Sequence, residues 1–320
     1  MNWENKLDKK LRDLDDKIDR ATGETVSCPP PPKPTTEHPD FLNTEHGTLT
    51  TASPPLPFAG LFASEPDTFF QATESELTQI YAYVIHAPHV TGNAHYARVA
   101  SKTRLSLAQD NPSINAYATH GRNGNQPEIS LLGGAIVFAR LCGAFRALSE
   151  SGGWQSLNQV WPVVGKTIIE QRGQLSPTVA REVLGAQNGD RLWNDEVVIR
   201  RAVAHSAGMW AGIMAHELGH LALGHTLGQA SNLEVSRNQE READSFASSV
   251  ISTSVFSGPL VEGMILWELA WAWCQNTAGG ADATTHPIPR ERLQDFIRAN
   301  ENIAKGLGLT LDTLDTLLPA

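Results

Sequence analysis

The sequence predicts a mostly helical domain with a few short strands, on three observations. Apolar residues recur at three- and four-residue steps along most of the chain. Strand-type segments are short and gather in one stretch, between Ser113 and Leu132. The longest periodic segment, opened by Asp195, is apolar nearly all round, as a buried helix is.

Taken in order, Trp3, Leu7, Leu11, Leu14 and Ile18 mark a charged amphipathic helix at the N-terminus. It suits either docking on the domain or, over residues 3–18, self-association or partner binding. The run from Cys28 through Pro29–Pro32 to Pro34 is an extended spacer. These segments, 1–40, precede a compact domain over 41–320. Within it, Glu74 to Ala87 has helical spacing, and Asn93 to Leu107 runs on toward a strand. Ser113 to Ala118 and Glu128 to Leu132 are short strands around the turn-rich Gly121 to Asn125. Ala135 to Ser149 is helical again, and Gly152 to Gly189 is mixed and yields no clear elements. Asp195 caps the long helix, which reaches about Gly224, and a second helix starts near Asn232. Leu266 to Gln275 and the segment from Arg290 complete the helices.

Composition narrows the function. The 320 residues carry a formal net charge of -10. That argues against nucleic acid as the main partner, because phosphate binding needs a basic footprint. Cys28, Cys142 and Cys274 are few and far apart, which suits a reducing compartment rather than a disulfide framework. The first residues lack the apolar core of a secretory signal. Val255 to Cys274 is apolar but contains Pro259, Glu262 and Glu268, so a buried helix is expected there and no integral membrane segment. The expectation is a cytoplasmic protein.

The chemistry is concentrated in His216-Glu217-Leu218-Gly219-His220. Histidines four apart share one helical face, one turn apart, so both imidazoles can reach one ion. The glutamate after the first histidine is then close to a water on that ion. A buried helix would not carry these three groups in one turn without a partner, and zinc is the metal expected. A catalytic zinc takes three protein ligands and keeps one position open. His225, Glu234, Glu240, Glu242 and Asp244 are the candidates for the third. His225 lies five residues past His220, which turns it off the ligand face. Glu240 and Asp244 lie one turn apart on the second helix, and the small Ala243 and Ala247 allow that helix to come close. Glu240 is therefore assigned to the metal, and Asp244 to the outer nitrogen of a ligand histidine. Glu240-Arg241-Glu242 would by itself also suit a solvated charged turn.

These residues resemble a known family. His216-Glu217-Leu218-Gly219-His220 followed by Glu240, Ala243 and Asp244 is similar to the HtpX and CAAX-prenyl-protease type of zinc endopeptidase. Asn111 to Ala118, then Ile129 to Gly134, resemble that family's strand and the strand-glycine step after it. Thr285-His286-Pro287 through Arg292-Leu293 resembles its histidine-proline-arginine motif. The run Glu240 to Ala247 is also similar to ImmA/IrrE-type regulatory metallopeptidases. Either resemblance implies an α+β, zincin-like metallopeptidase domain of gluzincin type, with a small sheet beside the active-site helix. The first further implies that the strand Asn115, Ala116, Tyr117, Ala118 offers its edge to a protein or peptide substrate. It places His286 near the reacting carbonyl and Arg292 in a supporting charged contact. Without the resemblance, His286 would be read as a loop residue capping the next helix. The stretch between His220 and Glu240 is short for the HtpX type.

The function expected is peptide hydrolysis by a zinc-activated water with Glu217 as general base. His286 or Tyr117 is the candidate donor to the oxyanion. The alternative is a catalytically latent zinc-binding regulatory protein acting through its N-terminal helix. An intact Glu217 favours catalysis, because a structural site needs no general base. Membrane-surface anchoring through Lys6, Lys9, Lys10 and Arg12 is countered by Asp8, Asp13, Asp15 and Asp16.

Overall fold

The computed structural model describes residues 68–120, 126–150, 170–227, 232–252 and 289–306, with 164, 166, 167, 310 and 311. The N-terminal helix, the proline spacer, the start of the domain, the 121–125 turn, the 266–275 helix and His286 lie outside these residues.

The described elements run in the order α1 (Glu74–His86), α2 (Pro88–Thr91), α3 (Ala94–Lys102), β1 (Arg104–Ala108), β2 (Ala116–His120) and β3 (Pro127–Leu132). Then follow α4 (Gly133–Glu150), α5 (Pro177–Leu184), α6 (Ala186–Asn194), α7 (Glu196–Ala222), a 3-10 turn (His225–Leu227) and α8 (Leu233–Ser252). Last come α9 (Pro289–Ala299) and α10 (Glu301–Gly306). The class is α+β, mostly helical with one three-stranded sheet.

Side-chain caps define the helix starts. Thr73 and Glu76 form a capping box on α1, Asn93 caps α3, and Asp195 accepts from Val197 and Val198 at the start of α7. Ser176 with Pro177 behind it opens α5, inside the stretch where no element was expected. Gly185 follows with φ 75, and α6 begins directly after it. These two helices were missed because each is short, with 8 and 9 residues, and neither carries a long apolar stripe.

The strand order is β1-β3-β2, with β1 parallel and β2 antiparallel to β3. Among the described residues β2 is thus an edge strand. It begins at Ala116, three residues later than the expected start at Ser113. The backbone there pairs elsewhere: Ile114 N donates to Gly173 O at 2.9 Å, Leu175 N donates to Pro112 O at 2.7 Å, and Ser113 forms an isolated bridge with Gln174. Asn115 therefore precedes the strand instead of belonging to it.

The 27-residue α7 is the axis of the core. It packs on α4, α8, α1 and the β2–β3 side of the sheet. Trp210, Met209, Met214 and Leu218 are all fully buried, so the middle of the helix is enclosed on every side, while its first turn, with Val197 57 % exposed, reaches solvent. Close approach of α4 is possible because Gly143 has no side chain: a Cβ there would stand 2.4 Å from Ala202 O. Among the described residues no helix is long and apolar enough to cross a membrane; residues 255–274 are not among them.

Candidate metal centre

The site forms where the C-terminal half of α7 meets α8 and the edge of β2. His216 and His220 are one turn apart, and their Nε2 atoms face each other at 3.1 Å. Glu240, from α8, places Oε2 3.3 Å from His216 Nε2 and Oε1 3.5 Å from His220 Nε2. Ligands held about 2.0–2.1 Å from one tetrahedral ion stand ~3.3 Å from each other. Two imidazole nitrogens and a carboxylate that approaches each of them through a different oxygen thus offer the donor chemistry of a zinc site at near that spacing. Among the described residues they are the one such group of three.

Glycine makes this geometry available. Gly219, between the two histidines, faces α8, and a Cβ there would lie 3.2 Å from Ala243 Cα and 3.2 Å from Phe246. Ala243 is fully buried at that crossing. With no side chain on one helix and a methyl on the other, the backbones come near enough for the short Glu240 side chain to reach the histidines.

Behind this triangle, His216 Nδ1 is 2.8 Å from Asp244 Oδ1. Asp244 in turn accepts two bonds from Arg292 on α9, Nε to Oδ2 at 2.8 Å and Nη2 to Oδ1 at 2.7 Å. Burial by itself would raise the Asp244 pKa, but the guanidinium and the His216 hydrogen bond hold it far below the usual carboxylate range. Burial likewise disfavours a charged His216, yet its bonds to Asp244 and Glu240 raise its pKa well above 6.5.

Glu217 is buried on the same turn of α7, where burial raises its pKa. The neighbouring His216 and His220 oppose that, and so does a hydrogen bond from the Ala118 backbone N–H. Ala118 lies mid-way along β2, so the edge strand and the glutamate are in direct contact. Ala116 and Ala118 turn toward the core, while Tyr117 alternates to the other face and is 45 % exposed.

His225 and Glu242 are the residues that sequence spacing did not bring to the site. The helix stops at Ala222, and Gly224 with φ 73 reverses the chain. His225 returns so that its Nδ1 lies 3.0 Å from His220 Nδ1, and its Nε2 lies 2.9 Å from Glu242 Oε2. The Leu-Gly-His order just past the helix was the available signal: a C-terminal glycine cancels helical spacing for everything after it. Next to it, Thr226 bonds His120 at the end of β2.

His216, His220 and Glu240, which could hold a metal ion, with the Glu217 carboxylate beside them and Ala118 of β2 in contact, form a candidate hydrolase-type site. In agreement, residues 187–305 match a family described as Peptidase U49, a segment containing α7, α8 and α9. The match supports a peptidase, under a description different from the HtpX, CAAX and ImmA/IrrE types that the motifs resemble. Comparisons with curated proteins and with solved structures gave no match.

Proposed function

We propose that the protein is a zinc-dependent endopeptidase of zincin-like, gluzincin type. The observation that carries this reading is the clustering of His216, His220 and Glu240, 3.1–3.5 Å apart, with Glu217 beside them in contact with β2. When bound there, zinc supplies Lewis acidity, which makes a water nucleophilic at neutral pH and polarises a peptide carbonyl.

The chain's own groups do the rest. Glu217 takes the proton from the attacking water and delivers it to the leaving amine nitrogen. Burial disfavours its charged form, which strengthens it as a base. The Ala118 N–H orients its carboxylate. Asp244 holds the His216 ring with Nε2 inward, and Arg292 balances the charge of Asp244. An extended peptide would pair with the edge of β2, through main-chain bonds that do not depend on side-chain identity. Residues 116–118 then lie along the substrate.

The test is zinc content and cleavage of unfolded casein, for wild type and Glu217→Gln side by side. We expect equal zinc in both and cleavage slower by about 10²–10⁴-fold in the variant. Cleavage by Glu217→Gln at the wild-type rate would refute the general-base assignment. A wild type that takes up no zinc would refute the metal centre.

A further inference from the structure

Each candidate ligand histidine has its outer nitrogen engaged, and the two arrangements differ. His216 Nδ1 meets a carboxylate, Asp244, which Arg292 neutralises. His220 Nδ1 meets a second imidazole, His225 Nδ1, whose far nitrogen faces Glu242. We propose that His225 is a positioning residue for His220, with Glu242 setting the tautomer of His225. The inference rests on the metal centre described above.

The argument is one of proton placement. His220 Nε2 points at His216 Nε2 and Glu240, so its lone pair belongs to the metal position. The one proton of that neutral ring then sits on Nδ1, which donates. His225 Nδ1 has to be the acceptor, which places the proton of His225 on Nε2. That atom stands 2.9 Å from Glu242 Oε2, and a carboxylate accepts only. Every group in the chain therefore has one consistent role. The reverse order would put the His220 proton on Nε2, inside the metal site.

The fold explains why an intermediary is needed. Glu240, Glu242 and Asp244 follow one another at two-residue steps on α8, so Glu242 projects from a different face than Glu240. It cannot reach His220 directly. The turn after Gly224 inserts His225 between them, and the Thr226–His120 bond ties that turn to the end of β2. The His225 side chain is 5 % exposed, whereas Glu242 is 53 % exposed. His225 is thus the part of the chain that water cannot replace.

The experiment is zinc affinity by competition with a chelator, for wild type, His225→Ala, His225→Gln, Glu242→Ala and the double alanine variant. Visible spectra of the cobalt-substituted proteins and melting of the metal-free proteins accompany it. We expect His225→Ala to bind zinc about tenfold or more weakly, with shifted cobalt bands. His225→Gln, which keeps an acceptor, should recover part of the loss. Glu242→Ala should lose a few-fold, and the double variant should be no weaker than His225→Ala. Zinc affinity within about twofold of wild type in His225→Ala, with unchanged cobalt bands, overturns the proposal. So does additivity of the two alanine substitutions, or a lower melting temperature with unchanged affinity. If His225→Ala does not fold, the exposed Glu242→Ala decides, and no loss of affinity in it overturns the tautomer role. A wild type without zinc overturns this inference together with the metal centre. A wild type that binds zinc without cleaving casein refutes only the peptidase reading.

Discussion

Asp244 serves two neighbours with one carboxylate: Oδ1 faces His216 Nδ1, and both oxygens accept from Arg292. Removing it should free the His216 ring to turn. Asp244→Ala is therefore expected to weaken zinc binding about 10–100-fold, and Asp244→Asn, which keeps an acceptor, by less. Chelator competition measures both. The same residue predicts an acid limit for the metal-free protein. Its folded pKa lies below its unfolded value near 3.8, so its stabilising effect is present above that value and is lost as the pH falls. His216 acts at the other end. Its folded pKa is raised above 6.5, so its contribution is complete below that value and is lost as the pH rises through the folded pKa. Urea midpoints of the chelated protein should thus fall on both sides, and Asp244→Asn should lack the acid decrement. A flat profile in wild type would contradict the cluster's charge pattern.

At the scale of elements, the α7–α8 crossing decides whether Glu240 reaches the histidines. Gly219 and Ala243 keep the helices close, and a methyl on Gly219 would meet Ala243 and Phe246 at 3.2 Å. Either α8 shifts by a few tenths of an ångström or Phe246 moves. Gly219→Ala should cost about 1–3 kcal/mol in urea unfolding and weaken zinc binding as Glu240 withdraws. Unchanged affinity would show that Glu240 follows the shift. The edge strand is equally specific. The Asn-Ala-Tyr-Ala segment was legible as strand, but its start was not, since the backbone before it pairs with residues 173–175 instead of with β3. Helix starts were legible wherever a capping side chain preceded an apolar run, as at Asp195. The α5–α6 pair carried the Ser-Pro start signal too, yet its 8 and 9 residues are too short for periodicity to register.

Across the whole molecule, a buried ion pair joins α4 to α1 beside α7, in addition to apolar packing. Arg140 on α4 pairs with Glu76 of the α1 capping box, and both side chains are nearly inaccessible. The guanidinium also lies 4.6 Å from the Trp210 ring and 5.2 Å from the Phe69 ring. Breaking such a pair leaves an uncompensated charge in the interior. Arg140→Met should cost about 3–5 kcal/mol by urea unfolding, and adding Glu76→Gln should restore part of that. If the double variant is as unstable as the single one, packing around Arg140 matters more than its charge.

The sequence by itself determined the pieces whose chemistry is local. Two histidines four apart on an apolar helix must share a face, a caps-and-periodicity pattern must make long helices, and a glutamate next to a ligand histidine must lie beside the metal position. Tertiary structure decided the rest, because it depends on where separate segments meet. The closeness of α8 that brings Glu240 within 3.5 Å of both rings is a property of a helix crossing. The contact between Glu217 and the Ala118 N–H is a property of strand order, which puts β2 at the edge of the described sheet. The return of His225 to His220 follows from a single glycine at φ 73, after which helical spacing no longer predicts direction.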